Sequence, residues 1–172
     1  MMKCKRYQKI ADQFACFMCE ELQNDKHFKK RLKWELRGPT GWNIGSESAD
    51  LTGYAIKSEK PLVLIEVERR RDAPLSNVGK VWSWVIEQTK KEKLQKPPIL
   101  IQAFSGRYST TNTQRKHAEL IGKLMQRAKV ANYIPISFPY KPRKKAKHCE
   151  RACQRHARRL ARDIIRRLCR RL

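Results

Sequence analysis

The stretch LVLIEVERRR, from Leu62 to Arg71, decides the fold that we expect for this chain. Its apolar part is rich in valine and isoleucine, which favours a buried strand over a short helix. Glu66 and Glu68 end that strand, and both carboxylates should project from one face, because side chains two positions apart on a strand point the same way. Two buried like charges are unfavourable by several kcal/mol unless a cation neutralises them.

Two kinds of cation could neutralise this acidic pair. The first is a metal ion, with Asp50 as a third ligand. The second is the run of arginines that directly follows the strand, Arg69, Arg70 and Arg71. The spacing of the acids, the preceding aspartate and the basic character of the surrounding sequence favour the metal ion, because an enzyme that acts on a polyanion needs a local acidic cluster inside a basic protein.

The composition narrows the class of partner. The chain has 172 residues, 40% of them hydrophobic, which is enough for one domain with an appendage. Its formal net charge of +24 indicates a polyanionic partner: DNA, RNA or an anionic membrane surface. No run approaches the roughly 18 consecutive apolar residues of a membrane span, and the basic N-terminus lacks a continuous apolar core. We therefore expect a cytoplasmic protein with no membrane partner.

The six cysteines do not amount to a disulfide framework, so a reducing compartment is expected. Cys16 and Cys19 form a C-x-x-C pair. Four further potential zinc ligands lie near the C-terminus: His148, Cys149, Cys153 and His156. Their spacing resembles that of zinc ligand pairs. The favoured interpretation is nevertheless buried thiols, because Cys153 and the C-x-x-C pair fall on apolar faces of predicted helices.

Hydrophobic periodicity predicts a series of helices and strands. The first helix spans residues 5–23, and strands follow at 28–37, 50–56 and from Leu62 onward. A helix then runs from Ser76 or Asn77 to about residue 95, followed by a strand at 99–104, a helix from Thr111 or Asn112 to 129 and a strand at 133–138. On the second of these helices we expect Trp82 in the core and Trp84 on the surface. This order predicts an α/β fold in which a mixed sheet is flanked by helices.

The last segment, residues 141–172, is the most basic part of the chain. It contains 14 lysines and arginines against two acids, which is half of the net charge. Its apolar residues recur at helical spacing, so we predict an amphipathic helix that docks by its apolar stripe and offers basic side chains to phosphates. Lys144, Lys145, Arg158 and Arg159 are the candidates. A solvated basic tail and a membrane-surface helix are the alternatives. We therefore divide the chain into a domain over residues 1–140 and this basic C-terminal segment over residues 141–172.

The order of helix, three-strand meander, helix and strand resembles the core of the PD-(D/E)XK nuclease superfamily, the restriction-endonuclease-like fold. The motif of that superfamily is an acidic residue at the start of the second strand and a D/E-x-K pair on the third. Asp50 matches the first acid and Glu66 the second, while Glu68 stands where lysine is usual. Some Type II restriction endonucleases of the superfamily have this E-x-E version. The resemblance covers residues 5–138.

The resemblance implies a site for Mg²⁺, with Mn²⁺ as a substitute. Asp50, Glu66 and the backbone carbonyl of Val67 would hold the metal, and Glu68 would orient or deprotonate the attacking water. Lys80 is the candidate for a lysine relocated to the following helix, against the alternative of a solvated helix lysine. Glu20 or Glu21 would add an outer ligand, as a glutamate of the first helix does in many relatives, although a surface charge is the favoured interpretation of either residue.

Further side chains would bind the nucleic acid around this site. Arg69, Arg70, Arg71 and Asn77 follow the acidic strand and would flank the scissile phosphate. The sequence therefore predicts a metal-dependent phosphodiesterase, an endonuclease that acts on double-stranded DNA, and a homodimer is compatible with that activity. The rival hypothesis is a non-catalytic nucleic-acid-binding protein that retains the nuclease fold. An RNA-directed nuclease is a third.

Overall fold

The computed structural model describes residues 10–36, 49–57, 61–69, 74–90, 96–140 and 149–172. Arg70, Arg71, Lys144, Lys145 and His148 lie outside the described residues. Four helices and five strands are described: α1 (Ile10–Asn24), β1 (Leu32–Leu36), β2 (Leu51–Ala55), β3 (Pro61–Glu68), α2 (Pro74–Lys90), β4 (Ile99–Ser105), α3 (Thr113–Arg127), β5 (Asn132–Phe138) and α4 (Cys149–Leu168). No helix in these ranges is long and apolar enough to cross a membrane.

The five strands form one mixed sheet in the order β1-β2-β3-β4-β5. β1, β2 and β3 are an antiparallel meander, whereas β3, β4 and β5 run parallel. The parallel pairs need crossover connections, and α2 and α3 provide them. The predicted α/β class with a mixed sheet and flanking helices is confirmed.

Strand alternation divides β3 between two cores. Val63, Ile65 and Val67 pack in the core that α1 and α4 cover. Leu64 packs in the other core, with α2 and α3. Glu66 and Glu68 have the same parity as Leu64, so both acids lie on the α2 and α3 face of the sheet.

The helix starts depend on local chemistry. α2 begins at Pro74, before the predicted Ser76 or Asn77, and proline is well suited to a first helical position because its φ is fixed and it has no N–H to satisfy. α3 begins as predicted after Asn112, whose side-chain oxygen accepts a hydrogen bond from the Arg115 amide at 3.0 Å.

The first strand is shorter than predicted. β1 begins at Leu32 and not at Phe28, because residues 25–32 form hydrogen-bonded turns.

The assignment of the two tryptophans of α2 is corrected. Trp84 is buried in the core with Val81 and Val85, whereas Trp82 is only partly buried. The two rings flank opposite sides of the apolar stripe of α2, so periodicity alone does not decide between them. The rotation of the helix on the sheet brings Trp84 inward, where Lys80 Nζ lies 5.0 Å from the centroid of its ring.

Gly122 allows α3 to approach the sheet closely. A Cβ atom built on Gly122 would lie 2.6 Å from three carbons of the Tyr133 ring. We expect Gly122→Ala to lower the free energy of unfolding by about 1–3 kcal/mol, because the helix or the ring must shift. Urea denaturation measures this change.

Gly79 of α2 provides the matched control, since a Cβ there has no atom within 4 Å. Gly79→Ala should raise the free energy of unfolding by about 0.5–1 kcal/mol, because alanine is the better helix former. Equal stability of the two variants would contradict the close approach at Gly122.

Candidate functional site

Asp50 lies next to β3 because β2 runs antiparallel to it. Leu51 pairs with Ile65, so the residue before Leu51 lies beside Glu66 in the register. Asp50 Oδ2 accepts a hydrogen bond from the Val67 backbone N–H at 2.8 Å. The sheet therefore brings together the two acids that the sequence predicted as partners.

Glu66 is buried and pairs with a lysine from another element. Lys80 Nζ of α2 lies 2.9 Å from Glu66 Oε1, and the side chains of the two residues are only 12% and 4% exposed. Burial raises the pKa of the Glu66 carboxyl well above its usual range, and the negative charge of Asp50 raises it further. Lys80 opposes this shift by its charge and its hydrogen bond. The cation beside Glu66 thus comes from the helix that packs over the strand.

Glu68 is fully buried among amide side chains. Asn77 Nδ2 lies 3.1 and 3.2 Å from its two oxygens, and Gln102 Nε2 donates to Oε1 at 2.6 Å. Gln102 Nε2 also donates to the Pro74 carbonyl at 2.8 Å. Glu68 is consequently held in one orientation, and the same bonds fix the first turn of α2 to β4.

Tyr133 extends this buried network across the sheet. Its hydroxyl donates a hydrogen bond to Gln102 Oε1 at 2.7 Å. Burial raises the pKa of Tyr133, and the charges of Glu119 and Glu68 add to the rise. The phenol therefore remains a donor, which fixes the amide of Gln102 with its nitrogen toward Glu68.

Gln102 and Tyr133 were not predicted as site residues. Gln102 is the one amide side chain in the strand ILIQAFS, and a polar side chain in the middle of a buried strand indicates a hydrogen-bonding partner on the same face. The sequence offered that signal but not the identity of the partner. Asn77, the predicted nucleic-acid contact, donates hydrogen bonds to Glu68.

Arg69 directly follows Glu68, so its side chain points to the opposite face of the sheet. Its guanidinium lies 5.5 Å from the centroid of the Phe14 ring, on the α1 face of the sheet. Its backbone carbonyl accepts a hydrogen bond from Ser105 Oγ at 3.2 Å. Among the three arginines, the structure therefore places only Arg69, and it places its side chain over α1.

Glu21, the possible outer metal ligand, lies beside arginines of α4. Glu21 belongs to α1, on the face of the sheet away from Glu66, and accepts a hydrogen bond from Arg162 Nε of α4 at 2.9 Å. Arg158 Nε lies 3.7 Å from its other oxygen. Glu20 belongs to the same helix. α1 packs against α4, and this packing directs Glu21 toward the arginines.

The two cysteines of the C-x-x-C pair are in different chemical states. Cys16 is disulfide-bonded, so the expectation of a buried thiol is wrong at that position. Cys19 is a buried free thiol that donates to the Trp34 carbonyl, and burial raises its pKa to about 11. Cys153 is fully buried, and His156 lies against Tyr140 with a ring-centroid distance of 5.3 Å.

The carboxylates of Asp50 and Glu66 are suitable ligands for a hard cation. Asp50 and Glu66 offer oxygen ligands of the kind that Mg²⁺ prefers, and the charge of Asp50 raises the pKa of Glu66, so an added positive charge there would relieve repulsion. Across the described ranges, no three His, Cys, Asp or Glu side chains group so that they could hold a metal ion.

The remaining predicted contacts to nucleic acid that the structure describes lie on α4, where Arg158 and Arg159 are exposed.

Comparison with known proteins does not identify the acidic site: no protein-family model, curated protein or solved structure matches the chain.

Proposed function

We propose that this protein is a Mg²⁺-dependent endonuclease that hydrolyses phosphodiester bonds of double-stranded DNA. The observation that carries the proposal is the convergence of Asp50, directly before β2, with Glu66 of β3 and Lys80 of α2, whose Nζ lies 2.9 Å from the glutamate. Two acids and a lysine are the side-chain types of the PD-(D/E)XK motif, and here the lysine comes from the helix and not from the strand.

The topology also supports a restriction-endonuclease-like fold. The described order α1, β1, β2, β3, α2, β4 is the order on which the resemblance to that superfamily rests. β1, β2 and β3 form the expected meander, with Asp50 directly before the second strand and Glu66 and Glu68 on the third. The fold and the motif therefore agree with each other.

Each side chain would contribute a separate part of the chemistry. Asp50, Glu66 and the Val67 carbonyl would hold the metal, which when bound supplies a Lewis acid and an activated water. Lys80 would place a positive charge beside Glu66, where the phosphate gains negative charge during hydrolysis. Glu68, whose oxygens accept amide hydrogen bonds, would position the first turn of α2 and with it Lys80.

A second candidate function is non-catalytic nucleic-acid binding. It is favoured by the partners that the acids already have: Lys80 neutralises Glu66, and two amides satisfy Glu68. In that case the constellation would only stabilise the fold. The basic surface would remain functional, because a net charge of +24 does not depend on the acidic site.

A plasmid assay separates the two functions. We expect the purified protein to nick or linearise supercoiled plasmid in Mg²⁺ or Mn²⁺ and to leave it intact in EDTA. Mg²⁺ should also raise the melting temperature of the wild type, because it binds only the folded state. DNA binding without cleavage in either metal, together with an unchanged melting temperature, would establish the non-catalytic function. Parallel RNA and single-stranded substrates test the third hypothesis.

A further inference from the structure

The outer face of α4 carries an unusual concentration of one residue type. Residues 149–172 contain nine arginines and no lysine, whereas the rest of the chain contains ten arginines and 21 lysines. All nine arginines are exposed. Guanidinium groups bind phosphate oxygens through two parallel hydrogen bonds, which an ammonium group cannot do, so this choice is meaningful for a phosphate-binding surface.

Six of these arginines form one continuous surface, which we call the arginine stripe. It consists of Arg151, Arg155, Arg158, Arg159, Arg162 and Arg166, which together line an open groove with Gln154. Five of them follow each other at spacings of three or four residues and thus lie on one side of the helix. At 1.5 Å per residue the stripe is about 22 Å long, which spans several phosphates of a duplex.

The stripe lies on the opposite side of the sheet from the acidic cluster. α4 packs with α1 in one core, whereas Glu66 and Glu68 face α2 and α3 in the other. A duplex seated at the acidic cluster would therefore not reach the stripe without bending around the protein.

Two observations select the class of polyanion. The apolar side of α4 is occupied within the core, with Leu160, Ile164 and Leu168 fully buried, so it is not free to insert into a lipid surface. The one aromatic side chain of α4, His156, is half-buried against Tyr140, so the stripe offers no exposed aromatic ring on which unpaired bases could stack. Both features favour the phosphate backbone of a duplex as the partner of the arginine stripe.

We infer that the arginine stripe is a second, sequence-independent binding surface for the phosphate backbone of double-stranded DNA. The inference rests on the proposed function only in taking DNA as the partner. Glu21 partly masks this surface, because it already pairs with Arg162 at 2.9 Å and lies 3.7 Å from Arg158. Bound DNA would compete with Glu21 for those two guanidinium groups.

The test measures binding of a fluorescent duplex of about 20 base pairs in EDTA, over a range of salt concentrations. The triple variant Arg151→Gln, Arg155→Gln, Arg159→Gln should weaken binding roughly a hundredfold at 0.1 M salt and lower the salt slope by about two to three. The matched control removes three exposed charges from α3 (Lys116→Gln, Lys123→Gln, Arg127→Gln) and should change affinity by less than about threefold.

A second variant tests the masking by a gain of affinity. Glu21→Gln should tighten duplex binding by about two- to tenfold, because it releases two guanidinium groups. Equal losses in the two triple variants, or tighter binding to anionic phospholipid vesicles than to the duplex, would overturn the inference. Because EDTA prevents metal-dependent cleavage, these results do not depend on whether the acidic cluster is catalytic.

Discussion

Glu66→Gln is expected to slow cleavage of DNA by at least about a thousandfold, because a metal contributes several kcal/mol of transition-state stabilisation and each 1.4 kcal/mol is a factor of ten. Glutamine has the size of glutamate, and its side-chain carbonyl can still accept a hydrogen bond from Lys80, whose Nζ lies 2.9 Å from the wild-type carboxylate. The loss should therefore reflect the missing charge and not a changed fold. Plasmid nicking at saturating protein concentration measures the chemical step without a contribution from affinity.

Glu35→Gln is the matched control for this variant. Glu35 lies on β1 and pairs with Lys33 at 2.6 Å on the surface, where the lysine side chain is 68% exposed. Removal of this charge should leave cleavage within about twofold of the wild type, since surface pairs contribute little. Cleavage by Glu66→Gln at the wild-type rate would eliminate Glu66 as a metal ligand. The rise in melting temperature with Mg²⁺ should also disappear in Glu66→Gln and persist in Glu35→Gln.

Lys80→Met is expected to lower the free energy of unfolding by about 2–4 kcal/mol at alkaline pH, because it leaves the buried carboxylate of Glu66 without its cation. The loss should be smaller in acid, where Glu66 is protonated and needs no partner. Lys33→Met, which removes an exposed lysine, should change stability by less than about 1 kcal/mol.

The sign of this pH dependence follows from the pKa of Glu66. Burial and Asp50 raise that pKa above 4.5, and the loss of Lys80, which lowers it, should raise it further. An acid whose pKa is higher in the folded state than in the unfolded state costs stability as the pH rises between the two values. Stability of Lys80→Met should therefore fall, relative to the wild type, as the pH rises above the folded-state pKa of Glu66 in the wild type, which itself lies well above 4.5.

Urea denaturation at about pH 5.5 and about pH 8.5 measures this difference. The double variant Glu66→Gln, Lys80→Met should recover most of the stability that the single variant loses, since it contains no unpaired buried charge. A loss in Lys80→Met that is equal at both pH values would show that the methionine disturbs packing and that the charge of Glu66 is not the cause.

The local pattern of the sequence was sufficient to predict several parts of this structure. The β-branched run predicted β3, and strand alternation predicted that Glu66 and Glu68 share a face. Asp50 was predicted as a third ligand beside this acidic pair, and the antiparallel pairing of β2 with β3 places it beside Glu66. These features depend on side-chain direction and on neighbouring strands, both of which are fixed over a few residues.

Other parts depended on contacts between distant segments. Gln102 meets Glu68, and Tyr133 meets Gln102, only because β4 and β5 lie parallel beside β3 in one register. The rotation of α2 on the sheet buries Trp84 and brings Lys80 to Glu66. The packing of α4 on α1 decides that the arginines and the acidic cluster lie on opposite faces.

The sequence by itself thus determined which residues are acidic, buried and adjacent on β3, because alternation and hydrophobic burial are properties of the local chain. The tertiary structure alone decided which side chains pair with them. That choice depends on strand register and helix orientation, which are set by the packing of the whole core and leave no periodic signal in the sequence.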